Sequence, residues 1–68
     1  MRYVMQKEDI YVLQTFVREF GARSTVKGLI QALQQVADEM SDLGLKERVI
    51  EIEKVLLQLE TLMAAETN

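Results

Sequence analysis

Apolar positions recur with a helical period along most of the chain. In the first such segment, Ile10, Leu13, Val17 and Phe20 are spaced three, four and three residues apart. That spacing stacks side chains on one side of an α-helix. Met5, Val12 and Phe16 widen the stripe to an arc of about 160°. Asp9 suits an N-cap or a first-turn acid, and Gly21 suits a stop. The pattern predicts a helix over 7–20, preceded by an arm over 1–6.

In "STVKGLIQALQQVADEMSDLG" the apolar positions Val26, Leu29, Leu33, Val36, Met40 and Leu43 repeat at intervals of three and four. Lys27, Gln31, Gln34, Gln35, Asp38 and Asp42 hold the opposite side. Ser24 is the expected N-cap, because its hydroxyl can accept from a first-turn amide. Gly44 is the expected C′ residue, with Leu45 following as the apolar partner of a C-terminal cap. The prediction is a helix over 25–43. Gly28 falls on its polar side, as a surface glycine or as a point where another backbone approaches closely.

A third helix is predicted over 46–65. Leu45, Val49, Ile52, Leu56, Leu59 and Met63 form its seam, and Val55 and Leu62 extend one flank. Ile50 and Leu57 stand about 120–140° from that seam. The short link at Gly44 makes helices two and three an antiparallel hairpin. The expected architecture is therefore all-α, a single small domain over 1–68 with a short first helix and a long helical hairpin. Ile50 and Leu57 are either covered by the first helix or used in a helical bundle completed by dimerisation.

Composition makes the second outcome the expected one. A chain of 68 residues has difficulty burying enough apolar surface by itself. With no cysteine and no histidine, neither a disulfide nor a typical structural zinc site can staple it. Self-association is assigned to Ile50, Val55, Leu57 and Leu62, and a homodimer is the simplest closed solution.

The same absences narrow the chemistry. Nucleophilic catalysis built on His or Cys has no starting material here. Glu47 with Glu51, and Asp38 with Asp42, are carboxylate pairs at helical spacing, but on faces expected to meet solvent. "GARSTVKG" lacks the spacing of a phosphate loop. No catalytic residue, cofactor site or metal site is expected, and the chain is read as no enzyme.

Charge is uneven along the chain. Residues 1–30 carry five basic and three acidic side chains, and residues 31–68 carry three basic and eight acidic ones. Tyr11, Arg18, Arg23, Ser24 and Lys27 form the candidate set for a partner or an anion. The alternative reading is a helix-turn-helix-like nucleic-acid-binding regulator with "GAR" as its turn, in which the start of helix two presents Ser24, Thr25, Lys27, Gln31 and Gln34 and Arg18, Arg23 and Lys27 gather near its N-terminus. The acidic total, a net charge of −3, argues against that alternative. Charged residues at Arg2, Lys7, Glu8 and Asp9 interrupt the N-terminus, so no leader is expected. No apolar run approaches a membrane span. The expectation is a cytoplasmic module that binds itself and another protein through helix faces, with no membrane contact.

Overall fold

The computed structural model describes residues 4–67 and consists of three helices: α1 (Lys7–Phe20), α2 (Ala22–Asp42) and α3 (Lys46–Thr67). The all-α reading holds, with a short first helix and two longer packed ones. Residues 1–3 of the expected arm lie outside the described residues. Residues 4–6 lead into α1 without helical structure.

Gln6 is the N-cap of α1, and Asp9 sits three residues inside the helix. The Gln6 amide donates to Asp9 Oδ2 at 3.0 Å. Asp9 is thus the first-turn acid rather than the cap. Glu8 and Asp9 at the start and Arg18 at the end match the helix dipole.

One residue joins α1 to α2. Gly21 ends the first helix by donating its amide to the Val17 carbonyl at 2.9 Å. Its own carbonyl accepts the Thr25 amide at 3.1 Å and the Thr25 hydroxyl at 2.7 Å. With φ 85° and ψ 163°, Gly21 occupies a region open essentially to glycine alone. The expected start of α2 therefore moves. Ser24 is not the N-cap, because Gly21 takes that role and the helix begins at Ala22. Ala22 and Arg23 are strong helix formers and extend the helix back to the glycine.

The far end of α2 follows the sequence pattern closely. The Leu45 amide donates to the Met40 carbonyl at 2.9 Å, and the Gly44 amide to Ser41 at 3.0 Å. These two bonds, with Gly44 at φ 75°, make a Schellman cap. The chain reverses at once into α3, which runs two residues past its expected end through helix-favouring Ala64 and Ala65.

Helices α2 and α3 pack along their seams. Val26, Ile30, Leu33, Val36 and Met40 from α2, and Val49, Ile52, Leu59 and Met63 from α3, are half-buried. Among the described residues Leu56 is the one buried side chain, 8% exposed. Helix α1 contacts α2 and, among the described residues, makes no contact with α3. The molecule measures 36 × 34 × 16 Å. Its thin dimension is close to that of two packed helices side by side, and its two long dimensions are nearly equal. The shape is an L, with α1 as the short arm and the hairpin as the long one.

Candidate interaction surface

The apolar stripe of α1 lies open. Ile10, Leu13, Phe16 and Val17 are 40–45% exposed, and Phe20 is 63% exposed. The Phe16 and Phe20 rings lie 6.5 Å apart, tilted by 43°. With Ser24, Thr25 and Gly28 they line an open cleft of about 400 Å³ where the two arms of the L meet. A Cβ built on Gly28 meets nothing within 4 Å. Within the subunit, then, no second backbone approaches this glycine.

The four residues assigned to self-association are all exposed on α3, but they do not form one patch. Ile50 and Leu57 are 53% and 69% exposed, and Val55 and Leu62 are 40% and 59%. At about 100° per residue, Val55 and Leu62 stand some 90° to one side of the seam, and Ile50 and Leu57 about 130° to the other. Helix α1 does not cover Ile50 and Leu57, since it never reaches α3. Its one-residue tether and the backbone of Gly21 direct it away from the hairpin.

The side on which α1 stands follows from groove neighbours. Ile50 shares a groove with Ser41 of α2, which marks one side of the hairpin. Thr25, which lines the α1 cleft, lies about 160° from Ser41 around α2. Ser24 and Gly28, which line the same cleft, stand about 170° and 150° from the centre of the α2 seam. Helix α1 therefore lies toward the face of α2 turned away from α3, and its apolar stripe is a separate surface from the exposed Leu29, Val55 and Leu62. Periodicity reveals each stripe but not where α1 departs from α2.

The polar candidates are divided. The Arg18 guanidinium carbon lies 5.9 Å from the centre of the Tyr11 ring, a cation–π pair on the polar side of α1. Arg23 and Lys27 belong to the first turns of α2, and Ser24 lines the phenylalanine cleft instead of joining them. The three-residue turn expected at "GAR" is Gly21 alone, because Ala22 and Arg23 are helical.

Among the described residues no cluster of three or more His, Cys, Asp or Glu is placed to hold a metal ion. Asp38, Asp42, Glu47 and Glu51 are all exposed. Among the described residues no helix is long and apolar enough to cross a membrane. Comparison with protein-family models, with curated proteins and with solved structures finds no significant match.

Proposed function

We propose that the chain is a non-catalytic protein–protein interaction module that acts through its helix faces and works as a homodimer. The observation that supports this reading is the uncovered apolar stripe of α1, from Ile10 to Phe20. A folded chain of 7.8 kDa that packs compactly exposes about 4,400 Å², whereas this one exposes 5853 Å². Its radius of gyration is 13.4 Å, against about 11 Å for a compact chain of this length. Large apolar side chains exposed along one helix face mark an interaction site. The excess, about 1,500 Å² per subunit, falls within what each partner contributes to obligate dimers.

Light scattering coupled to size exclusion tests the reading. The expected mass is that of a dimer or larger at micromolar concentration. A monomer at high micromolar concentration that unfolds in one cooperative transition would overturn it.

A further inference from the structure

We infer that α1 and α2 are two segments of one hinged helix, with Gly21 as the pivot, and that the chain has a second conformation in which the helix is continuous from Lys7 to Asp42.

The hydrogen-bond ladder reaches the pivot from both sides. Gly21 donates to the Val17 carbonyl at 2.9 Å and accepts from the Thr25 amide at 3.1 Å. Both are the four-residue bonds of an unbroken α-helix. The bend gives up only bonds that would cross the pivot, such as those from Ala22 to Arg18 and from Ser24 to Phe20. No residue of the chain is proline, so each amide needed to restore that crossing exists. Gly21 alone has to change its torsions, from φ 85° and ψ 163° to helical values that any residue adopts. The Thr25 hydroxyl keeps its acceptor in both conformations, because a threonine inside a straight helix also reaches the carbonyl four residues back.

Nothing packed around the pivot holds it bent. Phe16, Phe20, Ser24 and Gly28 follow one another at intervals of four, so a continuous helix carries them as one line. The same four residues, with Thr25, line the cleft. The helix is thus folded toward that line, with aromatic rings on one side of the pivot and small residues on the other. The cleft stays open at about 400 Å³, and a Cβ on Gly28 would meet nothing within 4 Å. Among the described residues α1 makes no contact with α3, so no such contact has to break. Straightening exchanges a loosely filled cleft for the crossing hydrogen bonds. It also abolishes the cleft, since Phe16 and Gly28 then stand about 18 Å apart along the axis. The hinge decides whether the chain has a cleft there, in a single subunit as in any assembly.

Distances between spin labels test the hinge. The chain has no cysteine, so Glu8→Cys and Asp42→Cys place two labels and no others, both at exposed positions. Labelled chains refolded with an excess of unlabelled ones report distances within one chain. The two positions stand about 51 Å apart in the straight helix and closer in the bent one. The native chain should show both distances, with the shorter dominant. Gly21→Ala penalises the bent form alone and should raise the ratio of long to short about fivefold or more. Gly21→D-Ala, within reach of chemical synthesis at this length, accepts positive φ and opposes a right-handed helix. It should leave the short distance only. If circular dichroism shows Gly21→Ala unfolded, the native and D-Ala chains decide between them, and loss of the long distance in D-Ala supports the hinge. One distribution common to every folded chain overturns it.

Discussion

The Thr25 hydroxyl donates to the Gly21 carbonyl oxygen at 2.7 Å, beside the Thr25 amide that donates to the same oxygen at 3.1 Å. Two bonds on one carbonyl fix the residue at which α1 leaves the hairpin. The amide bond survives loss of the hydroxyl, so the second bond adds a modest amount. Thr25→Val should cost about 1 kcal/mol or less, and Thr25→Ser should retain most of it. Urea unfolding of the three proteins side by side checks the order.

Gly21 and Gly44 are held at positive φ, 85° and 75°. A Cβ at either position meets nothing within 4 Å, so any penalty comes from the backbone and not from crowding. Gly44→Ala should cost about 1–2 kcal/mol, the price of a left-handed residue with a side chain. Gly21→Ala should cost as much or more, about 1–3 kcal/mol, because its region is less accessible still. Thermal unfolding monitored by circular dichroism would show both as lowered midpoints.

Gly28 gives the opposite sign. It is helical and exposed and has open space where a Cβ would stand. Gly28→Ala should stabilise the helix of an isolated subunit by about 0.5–1 kcal/mol. Amide exchange on α2 at a concentration low enough to hold subunits apart reads this directly.

Leu56 and Leu43 separate core from surface. Leu56 is 8% exposed and Leu43 71%. Leu56→Ala should cost about 2–5 kcal/mol, enough to unfold a chain this small. Leu43→Ala should stay within about 0.5 kcal/mol of the native protein. Helix content at room temperature distinguishes them without any fitting.

Arg23 and Lys27 are the basic residues in the first turns of α2. Arg18 is engaged with Tyr11, and the turn that would orient a reading helix is one residue long. Fluorescence anisotropy with random duplex DNA at about 50 mM salt, where phosphate contacts are strongest, should show no binding at micromolar protein.

Most of the element map was legible in the sequence, for physical reasons. The seam of α3 and most of the stripe of α2 repeat at helical intervals and face each other, although Leu29 and Leu43 of that stripe are exposed. The cap at Gly44 and Leu45 forms the two bonds that its residue types imply. The start of α2 is not legible from Ser24, because the Gly21 carbonyl accepts both the Thr25 amide and the Thr25 hydroxyl and begins the helix three residues earlier. The candidate surface was only half legible. Val55 and Leu62 were singled out together with Ile50 and Leu57, yet the two pairs face opposite flanks. Where α1 stands relative to either pair depends on the direction in which the chain leaves Gly21. That direction is set by one residue's torsions, and the pattern of apolar positions does not encode it.

With Leu56 the one side chain sealed from water among the described residues, a subunit has little interior to lose. Under the self-association proposed above, its stability would rise with the number of chains sharing a volume, and dilution would act on it as a mild denaturant does.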